Sequence, residues 1–125
     1  MPALAGIPLT HRGVAHEAVI VSGHLPPGHP QSLVDWAALA RLHGTLVILM
    51  GVDNLPAFAG VLIEGGRAPS TPVAIVQDGT MPTERVAVTV LGEVTATVAE
   101  QEIRPPAVVV IGEVVGLRQA PDLQW

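Results

Sequence analysis

Apolar residues along this chain recur with two different periods, and the places where the period changes divide it into elements. The run EAVIVS, from Glu17 to Ser22, is short and β-branched, and reads as a strand. Gly23, Pro26, Pro27, Gly28 and Pro30 then stop it and predict a long loop. Ser32 can cap a helix whose apolar residues Leu33, Trp36, Ala37 and Ala40 fall at helical spacing, with Gly44 placed to end it. Thr45 to Met50 is a buried strand. Asp53 or Asn54 can cap the next helix, which tolerates Pro56 in its first turn. Its apolar face is Leu55, Phe58, Ala59, Leu62 and Ile63, and Gly65 and Gly66 close it.

Further on, Pro72 to Val76 reads as a strand, Asp78-Gly79-Thr80 as a turn and Arg85 to Val90 as a second strand, so a hairpin is expected. Leu91, Val94 and Val98 suit a short helix over 91–100 that Pro105-Pro106 terminates. Ala107 to Ile111 is the last strand, with room to run on through Val114 and Val115. Pro2, Gly6 and Pro8 break any period in the first twelve residues, which read as a loop. The expected fold class is α/β: a mixed sheet of about five strands with about three helices, in a single unit over residues 1–125.

Composition narrows the chemistry. Of 125 residues 49% are hydrophobic but only 2% aromatic, so the core is built from Val, Leu, Ile and Ala. Charged residues are 14%, too few for a disordered chain. The net charge is -5 and every basic side chain is an arginine, spread singly at 12, 41, 67, 85, 104 and 118. No basic stripe results, which argues against a nucleic-acid partner. The longest apolar runs, Leu46 to Met50 and Ala107 to Ile111, are far shorter than the roughly 18 to 20 residues of a spanning helix, so no membrane partner is expected. The absence of cysteine removes disulfides and thiolate zinc sites and is compatible with a cytoplasmic location. His11, His16, His24, His29 and His43 follow no metal-ligand spacing, and no metal is expected.

Three stretches carry a resemblance: GIPLTHR over residues 6–12, TLVILMG over 45–51, and TPVAIVQDGT over 71–80 running on to Arg85. Ser22-Gly23-His24 and the PAVVVIG segment over 106–112 fit as well, in the correct order. With them the chain resembles the uroporphyrinogen-III C-methyltransferases of the tetrapyrrole methylase family, including the methylase part of siroheme synthases. The resemblance implies an enzyme that moves methyl groups from S-adenosylmethionine to uroporphyrinogen III, giving precorrin-2 for siroheme or cobalamin. It implies two α/β lobes with the cofactor between them. This chain matches the carboxyl-terminal lobe only; the amino-terminal lobe, with its glycine-rich loop, is expected to be absent, and the isolated chain to be inactive.

Each candidate residue has two readings. Met50, at the end of an apolar strand, is either core filler or, as the resemblance implies, part of the cofactor wall. Gly79 is either a turn glycine that adopts positive φ without penalty or a close backbone approach to the cofactor. Ala107 is a strand start after a helix stop, and only the resemblance makes it a cofactor contact. Arg12, with Thr10 and His11, is either a solvated loop arginine or a clamp for one of the substrate's carboxylates, which a planar guanidinium can hold bidentately. No residue is an evident general base. The expected partners are a tetrapyrrole, the missing lobe or a chain that supplies it, and a second copy in a homodimer. The rival readings are a non-catalytic module that dimerises or binds tetrapyrrole without turning it over, and a methylase of a later corrinoid.

Overall fold

The computed structural model describes residues 7, 10, 12, 13, 15, 17–78 and 82–117. Five strands form one mixed sheet: β1 (Ala18–Ser22), β2 (Thr45–Leu49), β3 (Pro72–Gln77), β4 (Arg85–Val90) and β5 (Ala107–Ile111), in the order β1-β2-β5-β3-β4. β1 and β2 are parallel, joined by a crossover that carries helix α1 (Trp36–Ala40). β3 and β4 form the expected antiparallel hairpin, and β5 runs antiparallel to both β2 and β3. Helix α2 (Leu55–Glu64) follows a 3-10 turn over Val52–Asn54, and α3 (Val94–Glu100) follows another over Leu91–Glu93.

The helices share one face of the sheet. Leu46, Ile48, Val73, Ile75, Val109 and Ile111 meet Trp36, Leu55, Phe58, Leu62 and Val94 there. Alternation along each strand sends the intervening residues to the opposite face, where Val47, Ala74 and Val110 pack with Ile7, Ala15, Val114 and Val115. Each large side chain buried in these layers contributes about 1.5–3 kcal/mol, so the two layers supply most of the driving force. Trp36 anchors α1 by stacking on Phe58 of α2, centroids 4.5 Å apart and planes 15° from parallel.

Three local expectations change. The first helix begins at Trp36 rather than near Ser32, because the Asp35 carboxylate accepts the Ala38 N–H at 3.0 Å and caps it there. Leu33 accordingly lies outside the helix and is 98% exposed, and the helix ends at Ala40, with Arg41 as its C-cap, before it reaches Gly44. Val114 and Val115 do not extend β5; Gly112, at φ 150°, turns the chain into a 3-10 helix over Glu113–Leu117. Asn54 makes no cap with its side chain, which is used elsewhere.

Candidate functional site at the strand ends

Because β1, β2 and β3 all end at the same edge where the antiparallel β5 begins, the topology gathers four loops at one end of the sheet. Leu49 pairs with Val108 and Gln77 with Ala107, so Met50 and Asp78 leave the sheet on either side of the start of β5. The Asp78 N–H donates to Pro106 O at 3.0 Å. Ends of strands bordering helices are where α/β folds place ligands.

Two residues here carry left-handed backbone without being glycine: Met50 at φ 58° and Asp78 at φ 54°. Aspartate tolerates this region; for methionine it costs on the order of 1 kcal/mol and must be held by its surroundings. Met50 is also 67% exposed, which removes the core-filler reading. Its thioether is presented at the sheet end and not spent on packing. Ala107 is buried among the helix-side residues. In the β3–β4 turn Asp78 has positive φ, and Gly79, for which the sequence predicts it, lies outside the described residues.

What supports the Met50 turn is a contact between two glycines. Gly23 follows β1, and a Cβ built on it would lie 2.6 Å from Gly51 Cα, 2.7 Å from Ile48 Cγ2 and 2.8 Å from Phe58 Cε2. The Gly23 N–H donates to Leu49 O at 2.6 Å, continuing the β1–β2 ladder past the last pair. On the other side of β5, Thr83 Oγ1 donates to Asp78 Oδ2 at 3.2 Å, the Arg104 N–H to Gln77 Oε1 at 3.0 Å, and Arg85 Nη2 to Gln101 O at 2.8 Å. The first bond closes the hairpin end on itself, and the other two tie it to the segment that leads into β5.

Thr10 and Arg12 belong to the segment ahead of β1. Both are exposed, in a stretch bracketed by Ile7 and Ala15, which anchor it to the sheet face opposite the helices; Gly13 turns the chain at φ 81°. His11 lies outside the described residues. Among the described residues no three His, Asp or Glu side chains gather as a metal-holding group, and no helix is long and apolar enough to cross a membrane.

A cavity of about 430 Å³ opens at the opposite end of the sheet, with Arg41, His43, Arg67, Thr71 and Glu113 in its wall. Its most buried cation is committed to the fold. Arg67 Nη1 donates to Leu42 O at 2.7 Å, and Nη2 to Gly44 O at 2.9 Å and Ile111 O at 3.3 Å. Burial pushes this guanidinium below the usual arginine range, and the Glu113 carboxylate opposes that shift. Arg67 thus closes carbonyls that the ends of α1 and β5 leave open, and the strand ends around Met50 remain the better candidate site.

The chain matches the family pattern of the Tetrapyrrole (Corrin/Porphyrin) Methylases over residues 1–95 and belongs to that family. It is 45% identical to the siroheme synthase of Methylococcus capsulatus, over 98% of this chain and 25% of that protein. It is 42% identical to the S-adenosyl-L-methionine-dependent uroporphyrinogen III methyltransferase of Methanosarcina barkeri, over 94% of this chain and 46% of that protein. The crystal structure of the Thermus thermophilus uroporphyrin-III C-methyltransferase complexed with S-adenosyl homocysteine superposes with a TM-score of 0.75 at 41% identity, covering 90% of this chain and 48% of that one. The chain therefore spans between a quarter and a half of the length of these relatives.

Sequence reasoning treated Gly23 only as a strand stop and part of a shared motif, Gly51 only as part of another, and Asn54 only as a cap. A signal was present: a glycine follows each of the two parallel strands within two residues, and two candidate caps, Asp53 and Asn54, stand before one helix.

Proposed function

We propose that this chain is the carboxyl-terminal lobe of an S-adenosylmethionine-dependent methyltransferase that acts on uroporphyrinogen III to give precorrin-2. The observation that carries the reading is Met50, left-handed and exposed at the strand ends beside Ala107 and Asp78. Such a rim fits the methyl donor: an uncommitted thioether and turn backbone can meet an adenosine and its methionine tail without a charged side chain. The donor, when bound, supplies an electrophilic methyl group on a sulfonium. What the protein must add is a held approach of the two reactants, worth about 7–11 kcal/mol when the geometry is right.

In this reading Met50, Gly79 and Ala107 belong to the donor's wall, and Thr10, His11 and Arg12 face the tetrapyrrole, with Arg12 clamping a carboxylate. Leu49 and Met50, exposed and apolar, are the surface that the amino-terminal lobe covers. The half-exposed Ile20 and Val88, on the sheet face away from the helices, suit a second copy in a homodimer.

Calorimetry on this chain completed by an amino-terminal lobe separates the two assignments. Arg12→Ala should weaken tetrapyrrole binding by about 1.5–3 kcal/mol, roughly ten- to a hundredfold, and leave donor affinity alone. Met50→Phe should do the reverse. If Arg12→Ala leaves tetrapyrrole affinity and turnover unchanged, the substrate-side assignment is wrong.

A further inference from the structure

Asn54 lies between two of the loops that meet at the strand ends, and its side chain caps neither the 3-10 turn nor α2. Its Nδ2 instead donates to Gly23 O at 3.1 Å and reaches His24 O at 3.5 Å, thirty residues back along the chain. These two carbonyls belong to residues that follow the end of β1 at Ser22. The loop after β1 is therefore fastened to the segment after β2 in three ways: by the Gly23 N–H on Leu49 O, by the glycine contact, and by the Asn54 amide. Of the three, the amide is the side-chain hydrogen bond, and it spans the flanks of Met50: Gly23 and His24 on one side, Asn54 on the other.

We propose that Asn54 is a positioning residue for the methyl donor. It fastens the His24 loop to the Met50 turn, so that the two loops present one rigid wall. The inference rests on the reading of the strand ends as the donor's site. A left-handed methionine persists only while its neighbours over-determine it. Releasing the loop after β1 frees the Met50 turn to relax toward extended backbone, and a donor must then order it on binding.

The test uses Asn54→Asp, which keeps the shape of the side chain and at neutral pH has no proton to give a carbonyl. In the chain completed by an amino-terminal lobe, the Kd of S-adenosylhomocysteine is expected to rise about five- to tenfold. The Kd of the tetrapyrrole should change less than about twofold, since a lost positioning contact acts on one ligand only. Val94→Ala, in the helix-side core of α3, serves as the stability control: it should lower Tm and leave both affinities unchanged. Equal donor affinity in wild type and Asn54→Asp overturns the proposal, as does an equal loss for both ligands. Should Asn54→Asp not fold, amide exchange in the wild type decides. Bound S-adenosylhomocysteine should slow exchange at Gly23, His24 and Gly51, and unchanged rates there overturn the clamp. A wild-type assembly that binds the tetrapyrrole but not S-adenosylhomocysteine overturns the donor-site reading itself, and the role of Asn54 with it.

Discussion

Supplied alone with S-adenosylmethionine and uroporphyrinogen III, the 125-residue chain is expected to form methylated product at least about 10⁵-fold more slowly than the same chain completed by an amino-terminal lobe. In the proposed reading the strand ends offer one wall: Met50, the backbone of the turns at Gly51 and Asp78, and the start of β5. A single wall can contact a ligand, but it cannot set the line between a sulfonium methyl and a pyrrole carbon, which needs both reactants enclosed. Fixing that line accounts for about 7 kcal/mol or more of barrier, and each 1.36 kcal/mol is a decade in rate. Transfer of labelled methyl from the donor to the tetrapyrrole measures it. Turnover by the isolated chain within tenfold of the completed one would show that this lobe holds the whole site.

Gly23→Ala should lower stability by about 3 kcal/mol and Tm by roughly 10–15 °C. The added methyl would meet backbone at Gly51 and the side chains of Ile48 and Phe58, all of them buried. The loop has little freedom to retreat, because the Gly23 N–H is bonded to Leu49 O and its carbonyl to Asn54. Gly60→Ala is the informative counterpart. A Cβ there meets nothing within 4 Å on an exposed position of α2, so helix propensity alone acts and the change should stabilise by about 0.5–1 kcal/mol. Thermal melts of both variants test the pair, and a Gly23→Ala protein as stable as wild type would mean that the two loops are not in contact in solution.

The period of the apolar residues made the elements legible, since burial of one face is a local property of each segment. β1, β2, the β3–β4 hairpin, α2 and β5 all stand close to where the pattern placed them. The first helix did not, because Leu33 and Trp36 have the right spacing while the nearer cap, Asp35, fixed the start beyond Leu33. The order of the strands was not legible. Nothing in the run from Ala107 to Ile111 says that it belongs between β2 and β3, because that choice depends on which edges are still open when it arrives. The site divides in the same way. Met50 could be singled out from its place at a strand end, but its left-handed backbone and the glycine contact that supports it arise from segments almost thirty residues apart.

The central position of β5 has a further consequence, for the order in which this chain can be made. A ribosome delivers β1 to β4 first, and these residues can form only two separate pieces, the parallel β1–β2 pair and the β3–β4 hairpin. Each piece shows an unpaired edge, at β2 and at β3, built from Leu46 to Leu49 and from Val73 to Val76. Both edges stay open to any passing strand until residues 107–111 are synthesised and slide between them. Between the completion of β4 and the arrival of β5 the nascent chain is thus a pair of half-sheets in need of shelter, and residues 107–111 are what makes them one sheet.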